Sequence, residues 1–507
     1  MDGTLPDEVL AQCADEPIHC PDHIQPHGVL LVFDPETLLI EQASETVLTL
    51  LRVEVSALLG SSIEQLIGPQ RTHYLRHWKR ESKPSDGELL DFSFEYPLTG
   101  RWFQAIVHFH QGVGFFEIEQ AIHLQGSKQF SRFLATQREV LRTLVQLERT
   151  CNQLPELLEN LAQLVRETTY YDRVMIYRFD SDGSGKVVAE NRSAELEPYL
   201  GLQYPATDIP AQARVLYLKN RTRLLENVGA KQVKVLPTLN PRTNQQADMS
   251  YCQLRSMSPV HVEYLQNMGV AATLVLSIVV DHQLWGLVAC HHSKPKWISY
   301  DRRFICEVLA EYCSKLIVAQ EFRDRKAAQQ LSLEFSSRLL TLRQKSEDKI
   351  AALFESPDLL LAPFKAQGMA YWNGRIERQI GEVPTEENLK KVVAFLQEQE
   401  SVENPFQTDR ITFLLPEVEE MREQASGLFA FRLPNAKNEY LLWFRPEKTQ
   451  TVNWAGDPRK GLIEEEGGFR LSPRKSFETW IEEARGISDP WGVNELFLVQ
   501  SLFPYFL

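Results

Sequence analysis

The sequence predicts an α+β protein of three domains, each an antiparallel sheet with flanking helices, joined by long helices. Three observations lead there. At 507 residues the chain is too long for one core and suits roughly two to four domains. Short apolar runs punctuated by turn residues recur in three separate regions, at 24–119, at 173–291 and from 365 onward. Between the second and third, residues 300 to about 354 contain neither Pro nor Gly. A continuous helix of about 50 residues would be about 75 Å long, so it must bridge domains or pair with another chain.

The elements follow in order. Runs at 29–33, 92–96, 102–109 and 113–118, with tight connections at Asp34-Pro35 and Thr99-Gly100, read as a small antiparallel sheet domain. From 131 to 168 the spacing turns helical, with Leu134, Val140, Leu141, Leu144 and Leu147, then Leu157, Leu161 and Leu164 after a break at Pro155. Residues 173–179 form a strand with Met175, Tyr177 and Phe179 on one face, and 272–280 with 284–291 form a hairpin about Asp281-His282-Gln283. The third region has strand-like runs at 371–372, 411–415, 427–432 and 440–444. Within it, 445–480 is a polar, weakly periodic excursion of a length that is usually functional or mobile. The apolar run 496–507 reads as the start of an exit helix.

Composition narrows the function. Hydrophobic residues make up 43 % and charged residues 24 %, an ordinary soluble balance, and a net charge of -14 argues against a general nucleic-acid binder. The N-terminus lacks the basic and then apolar run of a secretory signal. The longest apolar stretch, 270–280, falls short of the roughly 20 residues that span a bilayer, so no membrane segment is expected. Seven scattered cysteines, at 13, 20, 151, 252, 290, 306 and 313, suit free thiols in a reducing cytoplasm. There is no Gly-rich phosphate loop, no Gly-x-Ser-x-Gly turn and no metalloprotease helix.

Four constellations could carry chemistry. In Tyr204-Pro205-Ala206-Thr207-Asp208-Ile209-Pro210 two prolines stiffen the backbone around one carboxylate, which either caps the following run or faces a ligand. Near the N-terminus Cys13 precedes His19, His23 and His27; that histidine spacing suits a helical metal face, but Pro17, Pro21 and Pro26 argue against the helix. Asp15 and Glu16 oppose thiolate formation at Cys13, so it is either a free thiol in a leader or a group held beside an electrophile. In the run from Arg255 to Gly269, Ser258 can cap, Pro259 suits the first helical position and Gly269 the exit. His261 in that first turn tends toward neutral, as a ligand-facing group or a satisfied core histidine. In the strand end Trp285-Gly286-Leu287-Val288-Ala289-Cys290-His291-His292, alternation places His291 with Trp285, Leu287 and Ala289, and His292 with Cys290. Arg221, Arg223 and Arg255 are guanidinium candidates for a carboxylate, with plain solvation the default for each. Together the polar groups suit a large, acidic, conjugated ligand.

These residues resemble the bacteriophytochromes, biliverdin-binding red/far-red photoreceptors, over the whole chain. The resemblance implies a PAS domain with its N-terminal segment (1–125), a GAF domain (126–322) and a PHY domain (323–507) with a hairpin tongue at about 445–480. Cys13 with Glu16-Pro17-Ile18-His19 and Ile24-Gln25-Pro26-His27-Gly28 is similar to the family's attachment cysteine and the start of its PAS domain. Residues 205–210 match its aspartate motif, with Thr207 where Ser is commoner. Trp454-Ala455-Gly456-Asp457-Pro458 and Pro473-Arg474-Lys475-Ser476-Phe477 resemble the two halves of the tongue, with Trp480 and Glu482 its alternative contact motif.

The resemblance implies biliverdin IXα linked by a thioether to Cys13. Asp208 then accepts hydrogen bonds near the pyrrole nitrogens and pairs with Arg474 at rest, His261 lies beside those nitrogens, and His291 bonds the D-ring carbonyl. Arg223 and Arg255, with Ser258 nearby, bind the propionates. Met175, Tyr177, Tyr204 and Tyr264 form the D-ring pocket, and Ile209, Pro210 and Tyr217 are further pigment-binding positions. Arg474, Ser476, Trp480 and Glu482 carry the signal. Val260 stands where phycocyanobilin-type relatives carry their attachment cysteine, which favours Cys13. Thr273 and Val275 stand where relatives often place two serines, so one propionate hydrogen bond is expected to be missing. The implied function is reversible Z/E isomerisation (Pr/Pfr), tongue refolding from strand toward helix, and signalling as a cytoplasmic homodimer through the long helices. The signal would pass to a histidine kinase or diguanylate cyclase module, or a response regulator, with no enzyme activity in this chain. The competing classes are a non-switching bilin or near-infrared fluorescent protein, and a haem or flavin redox module.

Overall fold

The computed structural model describes residues 16–121, 138, 140, 142–145, 147, 151, 153–180, 182–345, 347–398, 405–434, 436, 438–448, 450–456, 462–465, 468–471 and 479–506. It divides into two compact units, Met1–Val318 with Asn453–Trp480, and Ala319–Val452 with Ile481–Leu507.

In the first unit one antiparallel sheet runs in the spatial order His23–Ile24, Val233–Leu236, Ile40–Ser44, Gly28–Phe33, Val113–Gln120, Arg101–His110, Leu90–Tyr96. Gly28–Phe33 is apolar without alternation, as a strand buried on both faces must be. Val29, Leu31 and Phe33 pack with Phe94, Phe103 and Phe116 on one side. Leu30 and Val32 pack on the other with Phe115, Met249, Cys252 and Leu254. That second cover, and the strand Val233–Leu236, come from far downstream in sequence, and local periodicity gave no sign of either. The same downstream segment grips the leader through its backbone. Met249 N donates to His19 O at 2.8 Å, Val235 N to Asp22 O at 3.0 Å and Gln25 N to Leu254 O at 2.9 Å.

The second sheet runs Thr222–Leu225, Ala272–Val280, Gln283–His292, Arg173–Phe179, Gly185–Arg192, Gln203–Tyr204, and Trp454 joins Gln203 in parallel register. Asp281 and His282 both adopt positive φ, 47° and 64°, which matches the twist of the flanking strands in a two-residue hairpin. One face packs against the helix Leu154–Thr169 and against Ile305, Leu309, Cys313 and Ile317 of the helix Tyr300–Lys345. Pro155 stands in the first turn of Leu154–Thr169, where its missing N–H is harmless. The expected single helix over 300–354 is two. Asp348 accepts from Ala351 N at 2.9 Å and caps a new helix, Lys349–Phe354, because a short carboxylate favours an N-cap over a helix interior.

The second unit holds a five-stranded antiparallel sheet ordered Ile376–Gly381, Gly368–Trp372, Tyr440–Arg445, Gly427–Arg432, Phe406–Thr408. Phe429, Phe431 and Trp443 face one core and Ala370, Leu442 and Phe444 another. One expectation fails here. Residues 411–415 contain the short helix Ile411–Leu414, since a brief apolar run does not distinguish strand from buried helix. The run 496–507 is helical, in Val493–Gln500 and Leu502–Phe506, with Leu498, Val499, Leu502 and Tyr505 buried in this unit's core. In the excursion, Leu462–Glu465 pairs with Gly468–Leu471 as a hairpin, in the first unit. Among the described residues no helix is long and apolar enough to cross a membrane, and the six described cysteines are free thiols.

Candidate functional site

The free face of the second sheet bounds a cavity of about 290 Å³. Strand alternation selects its wall. Met175 and Tyr177 point into it while Val174 and Ile176 point to the core. On the facing strand Leu287, Ala289 and His291 point inward, Cys290 joins the core, and His292 pairs with Asp172 Oδ2 at 2.8 Å. Trp285 departs from the expected grouping. The register skips it, with Ile278 opposite Gly286 and Val279 opposite Leu284, and this bulge sends its ring against the opposite core.

The remaining wall comes from consecutive segments: Tyr204, then Asp208, Ile209 and Pro210, Tyr217 of the helix Ala211–Lys219, Arg223, Arg255, Ser258, His261, Tyr264 and Thr273. The chain thus gathers around one cavity every residue that the family resemblance assigned to the pigment except Cys13, which lies outside the described residues. Arg474, Ser476 and the side chain of Glu482 also lie outside them. Trp480, 40 % exposed in the strand Thr479–Ala484, is not part of the wall.

Asp208 does not cap the next helix. Ala206–Asp208 forms a single 3-10 turn, and Pro210 holds the N-cap position of Ala211–Lys219. Tyr264 donates its hydroxyl to Asp208 Oδ2 at 3.2 Å. Ser258 stands at the N-cap of the helix Pro259–Asn267 without capping it through its side chain; its hydroxyl donates to Glu16 Oε1 at 3.1 Å instead.

The guanidinium groups divide. Arg223 is buried and donates to the carbonyls of Cys252, Gln253, Arg255 and Ser256, so it fixes the backbone that carries Arg255. Arg255 donates one N–H to Ile18 O, while its Nε is buried without a partner, as are Ser256 Oγ and Thr273 Oγ1. Arg221 pairs with Glu311 away from the cavity. Burial, and then the charge of Arg223, holds the His261 imidazole down to about 4. Burial, then Arg173 and His261, holds His291 down to about 3. Both are neutral near pH 7, each with one donor and one acceptor.

Sequence reading missed Glu16, Gln212 and Ser256 in the wall, and Arg214 behind it. They sit in loops or on a short helix, where no period marks the inward face. The histidines of the leader diverge: His23 bonds Asp22 Oδ1 at 2.6 Å, and His27 lies between Glu119 and Glu226 at 3.8 and 3.7 Å. The cavity can hold a long, flat, mostly apolar molecule bearing acidic groups and ring N–H donors.

Comparison with known proteins agrees with this geometry. Family models match in order: a PAS fold at 13–121, a GAF domain at 153–317 and a phytochrome region at 332–506. The chain is 36 % identical over 98 % of its length to cyanobacterial phytochrome B of Nostoc, covering 65 % of that protein. It is 35 % identical over 97 % of its length to a bacteriophytochrome of Xanthomonas campestris, covering 77 % of it. Against the Nostoc relatives the chain spans less than two thirds of their length, 65 % and 62 %. A crystal structure of a bacteriophytochrome from the photosynthetic bacterium R. palustris superposes with a TM-score of 0.87 at 33 % identity, with 98 % of each chain covered. The photosensory core module of the Stigmatella aurantiaca phytochrome gives 0.84 at 36 %, with 97 % of this chain and 96 % of that one covered.

Proposed function

The chain belongs to the phytochrome photoreceptors, and from that premise we propose that it senses red and far-red light through biliverdin IXα held in the cavity and joined by a thioether to Cys13. The observation that carries this reading is an apolar, sheet-walled cavity whose lining includes three buried polar atoms without partners, Arg255 Nε, Ser256 Oγ and Thr273 Oγ1. Buried donors and hydroxyls left unpaired cost free energy unless a ligand meets them. When bound, the bilin supplies visible absorption and a light-driven Z/E isomerisation at the methine bridge before its D ring.

The residues of the chain do the rest. Arg255 meets a propionate with its guanidinium, and Arg223, spent on four carbonyls, aims it. Thr273 offers a hydroxyl that Val275 beside it cannot. Neutral His261 and His291 hydrogen-bond ring groups without adding charge. Met175, Tyr177 and Tyr204 wall the ring that turns. Asp208 accepts from the pigment side and from Arg474 of the tongue; exchange of that pair for contacts by Ser476, Trp480 and Glu482 is the two-state element that carries the signal. Phe304, Val318, Phe322, Leu333 and Leu340 lie along one face of the helix Tyr300–Lys345, 39 to 71 % exposed, which supports a homodimer along that helix. The signal would pass to a histidine kinase or diguanylate cyclase module in the cytoplasm, the chain itself catalysing no further reaction.

The test is absorbance after biliverdin is added. A red band that bleaches toward the far-red under red light supports the reading. A fixed band favours a non-switching bilin protein, and no uptake ends the bilin assignment. An intact covalent adduct in a Cys13→Ser variant rules out attachment at Cys13.

A further inference from the structure

We propose that Arg214 is a positioning residue that aims Asp208 by clamping both flanks of its turn; this rests on the reading of Asp208 as a ligand-side acceptor. Asp208 N donates to Pro205 O at 3.0 Å, and Pro205 and Pro210 donate nothing. Arg214, one turn into the helix Ala211–Lys219, reaches back with its guanidinium. Its Nε donates to Ile209 O at 2.7 Å and its Nη2 to Ala206 O at 3.1 Å, one carbonyl on each side of the Thr207-Asp208 pair.

The same Nη2 donates to Gly183 O at 2.6 Å, and the guanidinium lies over the Phe179 ring at 4.9 Å. One planar cation therefore ties the Asp208 turn to the end of the strand Arg173–Phe179 and the loop that follows it. Gly183 leaves room for this: a Cβ there would lie 2.8 Å from Arg214 Nη1, and its φ of +84° disfavours other residues. With the carbonyls of Ala206 and Ile209 held, the turn is fixed at both ends, and the carboxylate of Asp208 keeps the direction that brings it to Tyr264. A lysine keeps the charge but lacks the fork to reach 206 and 209 together.

The experiment uses the full chain and two separate readouts. Hydrogen–deuterium exchange without pigment reads the clamp: Arg214→Ala and Arg214→Lys should each speed exchange at 207–208 at least tenfold, with the thermal midpoint and exchange in 272–292 unchanged. Biliverdin loading reads the consequence: both variants should take up pigment yet convert at least threefold less under red light, with lysine giving no rescue. Gly183→Ala, which crowds the guanidinium and meets the turn only in ordinary contact at Ala206 Cβ, 3.4 Å away, should reproduce both effects and replaces the alanine variant if that fails to fold. Wild-type exchange at 207–208 in all three variants overturns the clamp. Fast exchange with wild-type conversion also overturns it as a positioning device. A wild-type protein that takes up no biliverdin defeats the reading of the cavity instead, while the exchange result still decides the clamp.

Discussion

Tyr264 donates its hydroxyl to Asp208 Oδ2 at 3.2 Å and so ties the helix Pro259–Asn267 to the turn Ala206–Asp208 across the cavity wall. The bond joins two segments whose order in sequence says nothing about their contact. Tyr264→Phe keeps the ring and removes the donor. Its expected cost is about 1 kcal/mol of unfolding free energy, the usual net worth of such a bond. Urea denaturation of the pigment-free protein measures it, and a wild-type midpoint would show that the bond contributes nothing.

Arg223 is predicted to be a stability residue first. Its guanidinium satisfies four buried carbonyls of residues 252–256, and Arg223→Lys cannot reach them all. Leaving buried carbonyls unpaired should cost about 2 to 4 kcal/mol. A loss below about 0.5 kcal/mol in chemical denaturation contradicts the assignment.

The cavity wall depends on one missing side chain. A Cβ at Gly185 would lie 2.3 Å from Tyr177 Cζ, so Gly185→Ala must push that ring aside. Overpacking of this kind costs about 1 to 3 kcal/mol and, with Tyr177 facing the cavity, should weaken biliverdin uptake by at least tenfold. A titration followed by absorbance reads it, and wild-type uptake would show that the pocket yields.

Stability should fall as the pH drops below neutrality. Burial holds His27 and His261 at about 4 and His108 and His291 at about 3, against an ordinary 6.5. Below pH 6.5 the unfolded chain therefore binds more protons than the folded one, and acid favours unfolding. Burial raises Glu117 from 4.5 to about 7, so its contribution is present below pH 4.5 and is lost as the pH rises toward 7. Four imidazoles outweigh one carboxyl. The denaturation midpoint should be higher at pH 7 than at pH 4.5, and the reverse order would show that the imidazoles are not held neutral.

The exposed stripe on the helix Tyr300–Lys345 predicts self-association. Leu333→Glu combined with Phe322→Glu, at side chains 71 and 68 % exposed, should convert a dimer to a monomer in sedimentation without changing the fold. A wild-type sedimentation coefficient that persists in the variant places any dimer contact elsewhere.

Local patterns carried far in this chain. Alternation in Arg173–Phe179 and Gln283–His292 chose Met175, Tyr177 and His291 for one face and Cys290 for the other, because a strand's period of two is written residue by residue. The pattern failed where geometry broke the period, at the bulge that turns Trp285 away. It failed also at 411–415, where a short apolar run fits a buried helix as well as a strand.

The sequence by itself determined the order of the sheet regions, the long helix near residue 300 and the motif that brackets Asp208 with prolines, since each is a property of neighbours along the chain. Tertiary structure alone decided that residues 233–254 complete the first sheet and its second core. It also decided that Arg223 is spent on carbonyls while Arg255 keeps a donor to offer, and that Ser258 turns to Glu16 rather than capping its helix. The physical reason is the same in each case: a hydrogen-bond donor takes whichever acceptor folding brings within about 3 Å, and no local spacing records which one that will be.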